Sequence, residues 1–200
     1  MNGTQRPKRG RPKTLDADKA LDVAMQAYWQ SDPADVSLNA VCRLAGVSKP
    51  ALYRQFGGED GFTRAVLDRY ADKVLSEVFG ILSRAAPLRE TLDALIYFAS
   101  RDAKMQTGCV FYKMRAGKHR LGPKTLERVR ELDAAAVDAH AQYLETPRAA
   151  GDWSASQSAT VAARYIVEQV GLALTQRAAG EDVALVEKML TLAFSVFDRP

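Results

Sequence analysis

The chain has 200 residues, 47% of them hydrophobic, and a formal net charge of +4. This is enough for one or two domains with buried cores, while no apolar run approaches the roughly 20 residues of a membrane-spanning helix. Two cysteines, Cys42 and Cys109, give neither a disulfide framework nor a metal-ligand spacing. We therefore expect a cytoplasmic protein with no secretory signal, no membrane association and no cofactor.

The first 14 residues form a basic arm that contains the segment RPKRGRPK. The first 15 residues contain five bases and no acid, which leaves a net charge of −1 on the other 185 residues. The RGRP core resembles an AT-hook, because Arg9 and Arg11 on either side of Gly10 can lie in the narrow minor groove of A·T-rich DNA. The alternative is a basic tail that adds only non-specific affinity for phosphates.

A first helix is predicted over residues 16–30, capped by Asp16 or Thr14. Residues 31–34, SDPA, are expected to break it. The apolar residues of this helix recur at helical spacing, and its inward stripe consists of Ala20, Leu21, Ala24, Met25 and Tyr28.

Residues 37–56, SLNAVCRLAGVSKPALYRQF, are predicted to form two short helices joined by a tight turn. Ser37 is suited to cap the first helix and Gly46 to end it, while Ser48 is suited to cap the second. Leu52 and Phe56 face the core of this unit. The second helix then presents an outward face that can enter a DNA major groove, formed by Lys49, Pro50, Ala51, Tyr53, Arg54 and Gln55.

All later elements are predicted to be helices, since no alternating run of β-branched residues occurs. Helices are expected over residues 59–84, 87–103, 109–116, 123–146, about 155–178 and 181–197. Pro147 should end the helix over residues 123–146, and Ser154 or Ser156 should cap the helix that starts near residue 155. The predicted fold class is all-α, an N-terminal three-helix bundle with a helix-turn-helix followed by a larger helical domain. The expected boundaries are 1–14 for the arm, 15–58 for the DNA-binding domain and 59–200 for the rest.

Residues 15–75 resemble the DNA-binding domain of the TetR family of bacterial transcriptional regulators. The segments ALDVAMQAYW, AGVSKPALYRQF and GGEDGF carry the resemblance. It implies a homodimer whose two recognition helices bind successive major grooves of a palindromic operator in double-stranded DNA. By position, it places Ser37, Ser48 and Tyr53 at phosphates, and Lys49, Pro50, Ala51 and Arg54 near base edges.

The resemblance has one departure, just after the third helix. Most members of the family have a Lys-Glu pair there, and the lysine contacts a phosphate. This chain has Glu59 and Asp60 instead. The phosphate contact is therefore missing, and Glu59 would repel DNA.

The last two helices carry more apolar surface than a small domain of this length needs. We expect them to pair with their copies in a four-helix dimer interface, with Gly171 permitting close approach. The alternative is that their stripes all face one intramolecular core. The stripes include Val161, Ile166, Val170, Leu172, Leu174, Phe194 and Phe197.

The size of the helical domain suggests a ligand cavity, and the resemblance implies one for an unidentified small-molecule effector. The alternative is that the same aromatic and Met positions are plain core. Cys109 is expected at a helix N-terminus, where the dipole would lower its pKa and favour a redox-sensing or electrophile-sensing thiolate; the alternative is a small buried hydrophobe. The candidate lining residues are Phe79, Tyr97, Phe98, Cys109, Phe111, Tyr112, Met114, His140, Tyr143 and Tyr165.

Residues 113–130 contain seven bases, which we interpret as a solvated loop and helix face. The sequence has no HExxH, GxSxG, Walker or GxGxxG motif, so no enzyme activity is predicted. The predicted function is a ligand-responsive transcriptional repressor. Two alternatives remain, an architectural minor-groove protein in which the arm dominates, and a helical small-molecule-binding protein without a specific operator.

Overall fold

A computed structural model of the chain describes residues 16–153 and 157–198. In these residues every regular element is helical, which confirms the predicted all-α class. None of these helices combines the length and the apolar content needed to cross a bilayer. The helices are α1 Ala17–Gln30, α2 Leu38–Ala45, α3 Lys49–Phe56, α4 Glu59–Tyr70, α5 Ser76–Ser83, α6 Leu88–Ser100, α7 Val110–Ala116, α8 Pro123–Ala150, α9 Ala159–Ala178 and α10 Val183–Phe194.

Helices α1, α2 and α3 form a three-helix unit, residues 16–58, which we call the head. Asp16 caps α1 by accepting a hydrogen bond from the Lys19 N–H at 3.0 Å. Ser48 Oγ caps α3 by accepting from the Ala51 N–H at 3.3 Å. Ser37 occupies the N-cap position of α2 but makes no side-chain cap bond, so the predicted cap is wrong in this respect. Gly46 ends α2 at φ +72°, in the left-handed region that favours glycine.

The connecting helix predicted over residues 59–84 is divided. A π turn at Ala71–Leu75 separates α4 from α5, and α5 ends at Ser83. The apolar residues of this segment recur every four positions, and each such step overshoots a full α-helical turn by about 40°. The π turn contains more residues than an α-helical turn and cancels part of this accumulated angle. Tyr70 and Val74 are therefore buried, as Phe62 and Val66 are.

The predicted end of the long eighth helix is also wrong. Helix α8 continues through Pro147 to Ala150 and ends at Gly151, whose φ is +79°. Pro147 lies in the last turn of the helix, where a missing N–H costs one hydrogen bond and leaves most of the helix intact. Helix α9 is capped by Ser158, whose Oγ accepts from the Val161 N–H at 3.2 Å. The predicted caps Ser154 and Ser156 lie outside the described residues.

Residues 59–198, which we call the body, pack around a core shared by α6, α8, α9 and α10. Helices α8 and α9 lie against each other along much of their length. The head joins this core through α1 and α3, which both pack on α4. The proposed boundary near residue 59 therefore falls where α4 leaves the head and enters the body.

Candidate nucleic-acid interface and ligand cavity

Helix α3 has one fully buried side chain, Leu52, and exposes its outward positions. Leu52 is 0% exposed, and Phe56 packs edge-on against Phe62 with ring centroids 5.2 Å apart. Tyr53, Arg54 and Gln55 are exposed. Helix α3 therefore presents polar side chains to solvent, while Leu52 and Phe56 hold it against the rest of the protein.

The other sequence-predicted DNA residues in the described part of the chain lie on α3 or at the N-termini of α2 and α3. Ser37 and Ser48 are exposed at the N-termini of α2 and α3. Pro50 is exposed, and Lys49 and Ala51 are half-buried. Helix N-termini present unpaired N–H groups that can bind phosphate oxygens. Arg9 and Arg11 lie outside the described residues.

Glu59 accepts a hydrogen bond from the hydroxyl of Tyr53 on α3, a contact that the sequence reasoning missed. Tyr53 OH donates to Glu59 Oε2 at 3.2 Å. Lys49 Nζ lies 5.3 Å from the centroid of the Tyr53 ring. The three side chains thus form a cation, ring and carboxylate series on the exposed surface of the head. Tyr53 and Glu59 are six residues apart and a turn lies between them, so helical periodicity could not predict this contact.

Asp60 anchors the first turn of α8 to the start of α4. Its carboxylate accepts hydrogen bonds from the Lys124 N–H at 2.8 Å, the Thr125 N–H at 3.0 Å and Thr125 Oγ1 at 2.7 Å. Burial raises the pKa of Asp60, but these hydrogen bonds outweigh it and hold the pKa below its ordinary value. Asp60 therefore stays ionised and caps α8 from another helix.

A second contact joins the C-terminal end of α1 to the turn before α7. Trp29 Nε1 donates to the Gly108 carbonyl oxygen at 2.8 Å, and Lys113 Nζ donates to the Trp29 carbonyl oxygen at 2.5 Å. The Trp29 ring meets the Tyr70 ring edge-on, with centroids 5.2 Å apart. The head is thus joined to the body at the start of α4 by Tyr53 and Glu59, and at its end by Trp29 and Tyr70.

A largely enclosed cavity of about 50 Å³ lies in the body, between α4–α5, α6, α7, α8 and α9. Six of the ten sequence-predicted residues line it, namely Phe79, Phe98, Cys109, Phe111, Tyr112 and His140. Aliphatic residues missed by the sequence reasoning complete the wall. They lie on the helical stripes of the same elements and include Leu75, Leu95, Leu132, Val167 and Leu174.

The other four predicted residues lie outside the cavity. Tyr97 is 60% exposed on the far side of α6, and Met114 is buried in the core. Tyr143 OH donates to the Ala86 carbonyl oxygen at 2.9 Å, and Tyr165 OH donates to the Ala193 carbonyl oxygen at 3.0 Å. Both tyrosines join neighbouring segments of the body, because a half-buried phenol requires a hydrogen-bond partner.

Cys109 lies in the wall between the cavity and an open cleft of about 370 Å³. Its side chain is 3% exposed, and Tyr70 OH donates to Sγ at 3.2 Å. Burial raises the pKa of the thiol and outweighs the opposing hydrogen bonds. The predicted lowering of the pKa by the helix dipole is therefore wrong, since desolvation disfavours the thiolate more strongly.

Three of the seven bases over residues 113–130 pair with acids. Arg128 Nε lies 2.5 Å from an Asp68 carboxylate oxygen, and Arg120 Nη2 lies 2.5 Å from one of Asp35. Arg115 pairs with Asp133 and Glu168. These three bases thus hold the body to the head and its own helices together. Lys118, Lys124 and Arg130 are exposed, in agreement with the predicted solvated face.

Helices α9 and α10 bury part of the predicted dimer stripe and expose the rest. Ile166, Val170, Leu174, Phe194 and Phe197 are buried within the protomer, so their assignment to a dimer interface is wrong. Gly171 is buried too, because Tyr112 occupies the space beside it. The exposed apolar side chains of these helices and the turn after them are Val161, Leu172, Val183, Leu185, Met189, Leu192 and Val196.

Residues 20–66 match the sequence model described as bacterial regulatory proteins, tetR family. Over 65 residues the chain is 46% identical to the HTH-type transcriptional repressor ComR of Escherichia coli K12, covering 32% of this chain and 31% of that protein. It is 33% identical over 64 residues to an uncharacterized HTH-type transcriptional regulator of Mycobacterium tuberculosis, 32% of each chain. The matched segment thus spans about a third of the length of these curated relatives.

The fold of the whole chain is similar to solved structures of low sequence identity. Reduced NemR of E. coli superposes with a TM-score of 0.78 at 17% identity, over 90% of this chain and 96% of that one. The TetR family regulator CifR, a cysteine mutant complexed with 26-bp double-strand operator DNA, superposes with a TM-score of 0.74 at 19% identity, over 92% and 97%. Residues 20–66 thus match the TetR family in sequence, and the complete helical arrangement is similar in fold to solved structures that include regulators of that family.

Proposed function

We propose that the protein is a DNA-binding transcriptional regulator that represses from a palindromic operator. The observation that supports this most strongly is helix α3, which rests on the fully buried Leu52 and exposes Tyr53 and Arg54. Such a helix fits the major groove and reads base edges there. The name of ComR, a transcriptional repressor 46% identical over the matched segment, favours repression over activation.

The proposed operator complex contains two copies of the chain. A single short helix reads one half-site, and two heads about 34 Å apart read successive major grooves. The exposed apolar side chains of α9 and α10, including Leu185, Met189 and Leu192, offer the surface that would bring two copies together. The operator DNA in the CifR structure is 26 bp long, which accommodates two half-sites one helical turn apart. We place this function in the cytoplasm, where chromosomal operators of bacteria lie.

We propose further that a small molecule in the cavity releases the operator. Residues of the α4–α5 segment line the cavity through Leu75 and Val78, and its first residues, Glu59 and Asp60, contact the recognition helix and α8. A ligand acts only through different affinities for two states of the protein. A ligand that fits a state with wider head spacing would therefore weaken DNA binding.

A selection of binding sites from random DNA tests the proposal. The wild-type protein is expected to enrich a palindrome, and Arg54→Ala should relax the choice at one base pair of each half-site by about 1–3 kcal/mol. Deletion of residues 1–13 is the matched control, because it removes phosphate affinity and should leave the enriched sequence the same. Enrichment of A·T-rich DNA without a palindrome, dependent on the arm, would instead favour an architectural minor-groove protein.

A further inference from the structure

The cavity wall includes a buried histidine, His140, whose ring has one hydrogen-bond acceptor that the described residues leave unused. His140 is 3% exposed, and its ring lines the cavity. Its Nδ1 lies 2.7 Å from the carbonyl oxygen of Ala136, one turn earlier in α8. A carbonyl oxygen only accepts, so Nδ1 carries the proton and Nε2 of the neutral ring keeps its lone pair.

Nε2 is directed away from the backbone of α8, since Nδ1 faces it. Among the described residues Nε2 has no hydrogen-bond partner. Burial also lowers the pKa of His140, which keeps the ring neutral at pH 7 and Nε2 an acceptor. A buried acceptor without a donor costs free energy, and a ligand that supplies the donor recovers it.

The other polar groups of the cavity wall are already engaged. Tyr112 OH donates to the Val167 carbonyl oxygen at 2.8 Å, and Cys109 Sγ accepts from Tyr70 OH at 3.2 Å. A bound water needs two to four polar partners, and this wall offers it only Nε2. An organic molecule with one donor group and an apolar remainder fits these surroundings better.

Charge and size narrow the class of ligand further. The described residues of the wall include no Lys, Arg, Asp or Glu, so a charged ligand would be buried without a partner. The cavity volume of about 50 Å³ is far below the roughly 300–1,000 Å³ of sites for drug-sized ligands. The ligand therefore has few heavy atoms.

We propose that the cavity binds a small, neutral, mostly apolar molecule that donates one hydrogen bond to His140 Nε2, as a phenol or an alcohol does. This inference rests on the proposed function, because it assigns the chemistry of the effector to that regulator. It also assigns His140, which lies on α8, the role of selecting between molecules of equal size.

The test compares phenol with toluene, which has the same number of heavy atoms and no donor. Binding of each to the full-length protein is measured by calorimetry, without DNA, for wild type and His140→Leu. Leucine removes the acceptor and leaves an apolar side chain that the cavity wall accommodates. His119→Leu, a change at the exposed second histidine, is the matched control.

We expect wild type and His119→Leu to prefer phenol to toluene by about tenfold, and His140→Leu to lose or reverse that preference. An equal preference in wild type and His140→Leu, or no saturable binding of phenol, would overturn the ligand class. Operator affinity is then measured with and without phenol. Binding of phenol that leaves operator affinity the same upholds the ligand class and overturns its role as effector in the proposed function.

Discussion

Glu59 is a single residue placed to limit the affinity of the proposed recognition helix, α3, for DNA. Its carboxylate accepts from Tyr53 OH at 3.2 Å, on the surface expected to face phosphates. A carboxylate at that place repels phosphate, and it also holds a hydroxyl that could otherwise donate to one. A lysine at this position would do the opposite.

We therefore predict that Glu59→Lys strengthens binding to operator DNA about fivefold to tenfold at low salt, an effect of roughly 1 kcal/mol. The slope of log affinity against log salt should become steeper by about 0.9, because the lysine would neutralise one further phosphate. Fluorescence anisotropy at low and high salt measures both quantities. Glu59→Gln is the control and should give a smaller increase in affinity with little change of slope. Equal affinity of all three proteins would contradict the prediction.

Asp22 is a second residue whose charge has a calculable effect, here on stability. It accepts from Arg69 Nε at 2.7 Å and from Lys73 Nζ at 2.7 Å, joining α1 to α4 and the π turn. These hydrogen bonds, that of Arg69 first, lower the pKa of Asp22 from 3.8 to about 2. A carboxylate with a depressed pKa stabilises the fold above its unfolded pKa, and this stability is lost as pH falls toward about 2.

Asp22→Asn should accordingly lower the free energy of unfolding at pH 7. The lowered pKa of Asp22 would correspond to roughly 2.5 kcal/mol of stability. We expect a loss of about 1 kcal/mol in this variant, because solvent screens a partly exposed ion pair. Urea denaturation over a series of pH values should show the difference from wild type shrinking below about pH 4. Asp18→Asn is the control, since Asp18 is 83% exposed and its pair with Arg69 should contribute little. A difference independent of pH would refute the electrostatic origin.

At the scale of elements, the fit of α7 against α9 depends on a glycine. A Cβ at Gly171 would lie 2.4 Å from Tyr112 Cε1, so the ring packs directly on the α9 backbone. The Tyr112 hydroxyl reaches the Val167 carbonyl oxygen, one turn earlier in α9. The cavity wall is thus fixed by a close approach of ring and helix.

Gly171→Ala should destabilise the fold by about 1–3 kcal/mol, because the tyrosine must move and the improvement in helix propensity is smaller. Gly80→Ala provides a matched control, since a Cβ at Gly80 in α5 meets no atom within 4 Å. That variant should be stabilised by roughly 0.5–1 kcal/mol. Thermal or urea denaturation measures both. If Gly171→Ala were as stable as Gly80→Ala, the Tyr112 ring would be able to move aside at no cost in free energy.

The elements also indicate what sequence reasoning can and cannot predict. Apolar stripes and caps located the helices of the head to within a residue or two, because those signals are local. The same stripes did not predict which neighbour covers them, so the buried Ile166 and Phe194 were assigned to a dimer interface. The contacts of Tyr53 with Glu59 and of Tyr143 with Ala86 depend on how segments meet in space. Helical periodicity carries no information about such meetings.

For the whole molecule, the apolar side chains left exposed on α9 and α10 are the surface that we propose for a second copy. Leu192 is 73% exposed near the end of α10. A charge introduced there would be buried without a partner if two copies met at this face. We predict that Leu192→Glu converts a dimer into a monomer at micromolar concentration and weakens operator binding.

Light scattering coupled to size-exclusion chromatography measures the mass in solution. Leu44→Glu is the control for oligomeric state, because Leu44 is 64% exposed but lies in α2 of the head. Its mass should equal that of wild type. If Leu192→Glu remained a dimer, the interface would lie elsewhere on the body.

The contacts of Trp29 have an optical consequence. Its indole N–H is bound to Gly108, its ring meets Tyr70, and the Tyr70 hydroxyl is bound to Cys109 in the cavity wall. The chain has two tryptophans, and Trp153→Phe would leave Trp29 as the single indole emitter. The fluorescence of that one side chain would then report, in real time and without a label, whether filling the cavity disturbs the attachment of the head.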